Sequence, residues 1–318
     1  MTLTLAIPVW NDAEALVTLL HQATAMGCFD RVIVVDDGSD PAIDAENLPF
    51  ERCLLLRHDS PKGAGAARNL ALDHIETSHV LFFDSDDHLL PDVAALWRDL
   101  QDQPFDFCIA QHNDSQVLAR GGWGQMEADN ALWRLAGCAS GALTRPSRAQ
   151  AALLAETTNY PWNKIYRTAF LREHDIRFSE VPVHNDIAAH WLGFVHADRV
   201  LASDRKIATH FVRRGGDRLT NRRGSERLQV FSVFDDVAHG IADVHSPKSD
   251  LMRAFLRFAT DLINWIRGII DAPLIGALDT AVADFVRRAL PPEAFAWIVR
   301  ADPVLALRLN LLMTARAA

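Results

Sequence analysis

Three carboxylates within four positions, Asp84, Asp86 and Asp87, directly follow the apolar run Val80-Leu81-Phe82-Phe83. Four apolar residues in a row read as a buried strand, and negative charge clustered at its end is costly unless a cation sits there. Asp84 and Asp86 alternate around Ser85, so on extended backbone they project to one face. Hard carboxylate oxygens suit Mg2+ or Mn2+, ions that bridge to a substrate phosphate. A helix starting after Leu89-Leu90-Pro91 could use one aspartate as a cap, which leaves the others to explain.

Two further polar clusters end apolar runs in the same way. Pro8, Val9, Asn11 and Asp12 follow Leu3-Thr4-Leu5-Ala6-Ile7, and Asp36-Asp37-Gly38-Ser39-Asp40 follows Val32-Ile33-Val34-Val35. Lys62-Gly63-Ala64-Gly65-Ala66-Ala67-Arg68-Asn69 adds small residues that let backbone approach a ligand, and an arginine that can bond phosphate or stack on a base. It is not a Walker loop, because its lysine precedes the glycines, nor a dinucleotide fingerprint; alone it also reads as a plain turn into a helix. His174, His184, His190, His196 and His210 lack zinc-site spacing, and His210 is the one retained as a third contact to a cation. Cys28, Cys53, Cys108 and Cys138 match neither zinc nor redox spacing and read as buried free thiols.

The elements that must position these groups follow from periodicity. Apolar runs at 3–9, 32–35, 53–56 and 80–83 read as strands. Leu16, Leu19, Leu20 and Ala23 recur at helical spacing before Gly27, and further helices are expected from about 64 to 75 and 93 to 100. Strands that are apolar throughout, separated by helices, imply an α/β fold with a mostly parallel central sheet covered on both faces. Ligands of such sheets bind beyond the carboxyl ends of the strands, where all three polar clusters fall.

After Gly224 the strand signals stop. Helical periods at 228–242, 251–270, 275–290 and 304–313 are broken by Pro247, Pro273, Pro291-Pro292 and Asp302-Pro303, with Asp302 as a cap. Phe255, Phe258, Leu262, Trp265, Ile266 and Ile269 form a broad apolar stripe that suits packing on the preceding domain or on a second subunit in a homodimer. Arg300, Arg308 and Arg316 beside an apolar last helix suit peripheral contact with a membrane. The expected division is an α/β domain over residues 1–223 and a helical appendage over 224–318.

At 318 residues, 49% apolar and 23% charged, the chain can bury a full core. Its net charge of −9 argues against nucleic acid as a partner, and the charge is uneven: −13 over residues 1–202 and +4 over 203–318. No run of about 18 apolar residues occurs. The first residues lack a basic region and a cleavage site. The expectation is a cytoplasmic protein, with peripheral attachment to the inner face of the membrane as a variant.

Taken in order, Ile7-Pro8-Val9-Trp10-Asn11, Val35-Asp36-Asp37-Gly38-Ser39, Ala66-Ala67-Arg68-Asn69 and Phe83-Asp84-Ser85-Asp86-Asp87 resemble the family 2 glycosyltransferases. The likeness continues through Pro161-Trp162-Asn163-Lys164-Ile165-Tyr166-Arg167, Ile176-Arg177-Phe178 and His184-Asn185-Asp186, over roughly residues 1–220. It implies a GT-A-type, Rossmann-like nucleotide-binding domain that transfers a sugar with inversion. The donor would be a nucleotide-sugar, by default of uridine diphosphate (UDP). The acceptor would be a hydroxyl of a glycan or a lipid-linked molecule, and the cofactor Mn2+ or Mg2+. The resemblance sets Pro8, Val9 and Asn11 beside the nucleoside, Asp36 and Asp37 at the base, and Arg68 near the base or diphosphate. Asp84, Ser85 and Asp86 fall at the diphosphate, with Asp84 and Asp86 as metal ligands, and Asp186 falls where the family keeps its general base.

Two positions depart from the family pattern. Its Glu-Asp pair reads Asn185-Asp186, which takes a carboxylate from the acceptor side and removes an upward pressure on the Asp186 pKa. Trp10 stands where Tyr is commoner. Seven basic residues from Lys206 to Arg227, around Gly215-Gly216, suit either a loop closing over a diphosphate or a solvated basic loop before a helix. Two rival functions remain. A haloacid-dehalogenase phosphatase also sets Asp-x-Asp after an apolar strand, but in its first strand and with Thr or Val where His88 stands. A catalytically silent nucleotide-sugar-binding module is favoured by Asn185 and opposed by the retention of Asp186 with Asp84 and Asp86.

Overall fold

The computed structural model describes residues 1–211 and 222–314. Among these, eight strands form one sheet: β1 (Leu3–Val9), β2 (Arg31–Asp36), β3 (Cys53–Arg57), β4 (His79–Phe82), β5 (His88–Leu89), β6 (Phe107–Asp114), β7 (Lys164–Arg167) and β8 (Val200–His210), in the order β3-β2-β1-β4-β7-β6-β8-β5. The block β3-β2-β1-β4 is parallel, as its unbroken apolar runs predict. Beyond it the sheet is mixed: β7 runs antiparallel to both β4 and β6, β6 pairs parallel with β8, and β5 is antiparallel to β8. Pro8 lies inside β1 without breaking a ladder, because pairing with β4 ends at Ala6.

The α/β part carries α1 (Ala13–Met26), α2 (Ala64–Asp73), α3 (Asp92–Leu100), α4 (Ser115–Leu118), α5 (Glu127–Leu135), α6 (Arg148–Ala155), α7 (Thr168–Glu173) and α8 (Ile187–His196). Five helices follow: α9 (Val230–Val244), α10 (Asp250–Ile269), α11 (Ile275–Ala289), α12 (Pro292–Ala301) and α13 (Pro303–Thr314). The pair Pro291-Pro292, read from sequence as a break, also begins α12: proline suits the first helical position, whose N–H has no intrahelical acceptor. Asp302 caps α13 as expected, its Oδ1 accepting the Leu305 N–H at 3.0 Å.

The two faces of the sheet bury different sets. One face, with Leu5, Ile7, Val34, Leu81 and Phe83, packs on Leu16 and Leu20 of α1 and on Leu96 and Trp97 of α3. The other, with Ala6, Val35, Phe82 and Phe107, packs on α2 and α8, and its core continues without a break through the C-terminal helices to Leu309 and Leu312. The join is aromatic. Trp191 of α8 meets Phe255 and Phe258 of α10 at 5.1 and 5.4 Å between ring centroids, and Phe234 of α9 meets Phe285 of α11 at 5.2 Å. Most of the α10 stripe is therefore spent inside the chain, with Trp265 left half-exposed. On α13, Val304, Leu307 and Leu311 stay apolar and exposed, each more than half accessible. Among the described residues no helix is long and apolar enough to cross a membrane. The four cysteines are free thiols, but only Cys108 and Cys138 are buried as expected; Cys28 and Cys53 are half-buried.

One shared core implies one unfolding transition. Trp191→Ala is expected to lower stability by about 3–5 kcal/mol while tryptophan fluorescence and far-ultraviolet circular dichroism still report coincident denaturant curves. Separate transitions for the two signals would show that the helices unfold on their own.

Candidate active site

The chain leaves β4 at Phe82, and residues 84–87 turn back, closed by the Asp87 N–H donating to the Asp84 carbonyl at 3.2 Å. Asp84 and Asp86 thus sit on a turn and not on the extended backbone expected from their alternation. The turn separates the three carboxylates. Asp84 pairs with Arg68 and stays partly exposed. Asp87 points inward, where its Oδ1 accepts the Phe211 N–H at 2.8 Å and lies 3.1 Å from His210 Nδ1. Burial raises the Asp87 pKa, with His210 opposing, while His210 is raised by Asp87 against its own burial. His210 is thus packed between Asp87 and the Tyr160 ring, whose centroid lies 4.6 Å away.

The clusters after β1 and β2 lock one another. Asn11 takes a left-handed φ of 53°, a conformation asparagine tolerates. Its N–H donates to Ser39 Oγ at 2.9 Å and its Oδ1 accepts the Asp40 N–H at 2.8 Å. Asp36 is fully buried at the end of β2. Burial pushes its carboxyl up, but the Ser39 and Ile43 N–H groups and Arg57 together hold it below the usual range. Asp37 accepts the N–H groups of Lys62 and Gly63 at 2.9 and 2.7 Å and faces His58 Nδ1 at 2.7 Å, so it ties the β2 end to the loop before α2. Pro8 and Val9 form the buried end of β1 beside Val35 and Asp36. The residues expected beside a nucleoside come together, with most acceptor capacity of Asp36 and Asp37 spent on the protein itself.

Arg68, on α2, connects this side to Asp186. Its Nη2 bonds Asp84, its Nη1 donates to Asn185 Oδ1 at 2.8 Å, its guanidinium lies over the Phe178 ring at 5.1 Å, and its Nε has no partner within the protein. Asn185 thus faces Arg68. Asp186 starts α8 yet makes no side-chain capping bond, so a cap is not its role. It sits in a recess with part of its surface open. Burial chiefly raises it to about 6, with Arg68 and Lys164 pulling down and Asp84 pushing up. Lys164, fully enclosed, donates to the Tyr160 carbonyl at 3.0 Å and to Asn163, and burial lowers it to about 7 against the pull of Asp186.

A cleft of about 230 Å3 opens between the start of α1 and the turn after β4, lined by Asp12, Glu14, Ser85, Asp86 and His88. A larger recess of about 530 Å3, lined by Asp30, Arg31, Arg52 and Glu76, lies at the opposite end of the sheet, where the strands start, and touches none of the candidate residues. Of these two, only the smaller touches candidate residues, Ser85 and Asp86. Among the described residues no three His, Cys, Asp or Glu side chains gather as a complete metal cage. Two hard carboxylates beside an open cleft do fit Mn2+ or Mg2+ whose other ligands are diphosphate oxygens and water. Of the basic stretch, Arg213, Arg214, Gly215, Gly216 and Arg218 lie outside the described residues, as does Arg316.

Sequence reasoning met Lys164 and His184 within motifs and Arg227 within the basic stretch, but joined neither His184 to Arg227 nor Asn185 to Arg68. A lysine reads as a surface residue by type, and only the Trp162-Asn163-Lys164 motif hinted otherwise. The raised Asp186 carboxyl carries a stability consequence. Because it takes a proton more readily folded than unfolded, it costs nothing below pH about 4 and its full penalty above pH about 6. Asp186→Asn is expected to be more stable than the wild type at pH 7, by on the order of 1–3 kcal/mol, with the gap closing toward pH 4. Denaturant unfolding at both pH values checks this; a gap independent of pH would count against a buried, uncompensated carboxylate.

Comparison with known proteins bears on the family and the fold. The chain is 29% identical over 182 residues to the succinoglycan biosynthesis protein ExoO of Rhizobium meliloti, covering 56% of this chain and 51% of that protein. It is 25% identical over 236 residues to the poly(ribitol-phosphate) beta-N-acetylglucosaminyltransferase TarS of Staphylococcus aureus, covering 70% and 37%. The chain thus spans about half or less of the length of the curated relatives it matches. The structure of S. aureus TarS 1-349 in complex with UDP-GlcNAc superposes with a TM-score of 0.74 at 20% identity, over 98% of this chain and 88% of that one, which identifies the fold as GT-A-like. The family model "Glycosyl transferase family 2" matches residues 4–174, more than half of the sequence, and the chain belongs to that family.

Proposed function

We propose that the protein is an inverting glycosyltransferase that moves a sugar from a nucleotide-sugar to a hydroxyl of a glycan or lipid-linked acceptor. The observation that carries this reading is Arg68, which joins Asp84 on the donor side to Asn185, next to a base-competent Asp186. A uridine donor is favoured by the TarS complex, whose ligand is UDP-GlcNAc. Pro8, Val9, Asn11, Asp36 and Asp37 frame the nucleoside; Arg68, Asp84, Ser85 and Asp86 take the diphosphate. Mn2+ or Mg2+ held by Asp84 and Asp86 would neutralise charge on the departing diphosphate. Any contact with a membrane surface or a second copy would use the exposed Val304, Leu307 and Leu311.

The chain's own residues account for the proton. Asp186 takes it from the acceptor hydroxyl as that oxygen bonds the anomeric carbon and the bond to the diphosphate breaks on the opposite face, which inverts the centre. A carboxyl near 6 is ionised at neutral pH yet basic enough to accept, the compromise general-base catalysis needs. The silent-module reading has no use for a carboxylate held in this state without a capping bond.

Asp186→Asn is expected to lower kcat by roughly 10²–10⁴ with donor affinity within a few-fold, whereas Asp86→Asn weakens both. Wild-type turnover should climb from pH 5 to pH 7 with an apparent pKa near 6, and that limb should vanish in Asp186→Asn. Release of nucleoside diphosphate from UDP-sugars, paired with calorimetric UDP binding with and without Mn2+, measures these. Near-normal turnover in Asp186→Asn sinks the base assignment.

A further inference from the structure

We propose that Arg227 and Trp265, in the C-terminal helical region, are positioning residues for Asp186, acting through His184. The inference rests on the assignment of Asp186 as base. His184 immediately precedes Asn185-Asp186 and takes a left-handed φ of 66°, which a side chain of its size adopts only where its surroundings hold it. What holds it is on the other side of the join. Arg227 is fully buried and its Nη1 lies 3.0 Å from His184 Nε2. A guanidinium only donates, so Nε2 accepts and the ring carries its proton on Nδ1. Burial first, then Arg227, lowers His184 to about 3, so the ring stays neutral and the acceptor stays available. Among the contacts that aim Arg227, Nε donates to the Arg222 carbonyl at 2.7 Å, and the guanidinium lies 4.6 Å over the Trp265 ring. Trp265 also stands edge-on to His184 at 6.0 Å.

The residues on either side show why this matters for Asp186. Asn185 is pinned by Arg68 through its side chain, and its carbonyl accepts Ser179 N–H and Oγ at 3.0 and 3.1 Å. Asp186 has no capping bond of its own, so the direction of its carboxylate follows from the backbone of the two residues before it. Arg68 sets one of them from the donor side and Arg227 sets the other from the helices. Release of His184 lets its φ relax from the left-handed region and swings Asp186 while Asn185 stays tied.

The test uses the full chain and UDP released to water from whichever of UDP-N-acetylglucosamine, UDP-glucose and UDP-galactose the wild type hydrolyses fastest, with calorimetric UDP affinity beside it. Arg227→Gln is expected to lower kcat about tenfold or more with UDP affinity within about threefold, Arg227→Lys to recover part of the loss, and Trp265→Leu to lose about threefold. Trp265 is 45% exposed, so that variant keeps its fold even if Arg227→Gln does not. On an Asp186→Asn background Arg227→Gln should remove nothing further, because both act on one group. Unchanged kcat in both Arg227→Gln and Trp265→Leu, a full further loss on the Asp186→Asn background, or UDP affinity falling in step with kcat would each overturn the inference. Undiminished kcat in Asp186→Asn defeats the base assignment itself and the inference with it, and is read from that single variant alone.

Discussion

A guanidinium cannot shed its charge, so a buried one makes its partners obligatory. Arg68 is 4% exposed and is met by Asp84 from the turn after β4, Asn185 from the loop before α8, and the face of Phe178. Removing one partner of such a charge costs roughly 3–5 kcal/mol, which is enough to fix three distant segments relative to α2. The close approach this demands is made by Gly65: a Cβ there would stand 2.0 Å from the Ser179 carbonyl oxygen and 3.2 Å from Asn185 Cβ. The small residues of the loop before Arg68 therefore admit the chain's own backbone, where their composition alone suggested room for a ligand.

The same arrangement explains why an uncharged Asn185 is compatible with catalysis. Arg68 needs two acceptors, and an amide oxygen supplies the second without adding a negative charge beside Asp186. Burial already brings Asp186 to about 6. A carboxylate at position 185 would push in the same direction, toward a carboxyl that is protonated at neutral pH. Lys164 acts oppositely from beneath, and its own ammonium is held only by a carbonyl and an amide oxygen, so burial brings it to about 7. The two groups therefore titrate close to one another, and the ionised form of each favours that of the other.

What sequence made legible divides by the range of the interaction. β1 to β4, α1 to α3 and the three polar clusters at the strand ends follow from short apolar runs and local caps, and all stand where periodicity puts them. Free thiols and the Asp302 cap were equally local. The antiparallel insertion of β7, the pairing of β6 with β8 and the inward turn of Asp87 toward His210 depend on partners far along the chain. Alternation suggested that Asp84 and Asp86 share a face; the turn that overrides it is tied through Asp87 to the end of β8. Asn185 read as a lost carboxylate because its partner, Arg68, is 117 residues away.

The change from strand–helix alternation to helices alone near residue 223 is a real boundary of pattern, but cooperative folding follows shared buried surface. From Ala6 in β1 to Leu312 in α13 the apolar contacts are continuous, and Arg257 of α10 bonds both Glu156 at the end of α6 and Asp302 at the start of α13. Burial raises Glu156 to about 7 even with Arg257 present, so this polar tie is buried where the core closes over it. Peeling the helices away would expose Trp191, Phe194 and the α2-side core while stranding such buried charges. Most of the stripe is covered inside the chain, and α10 and the segment leading into α9 bring Trp265 and Arg227 up to the His184 turn. Their packing onto the sheet and their reach toward Asp186 are thus consequences of one placement, that of α9 and α10 against α8.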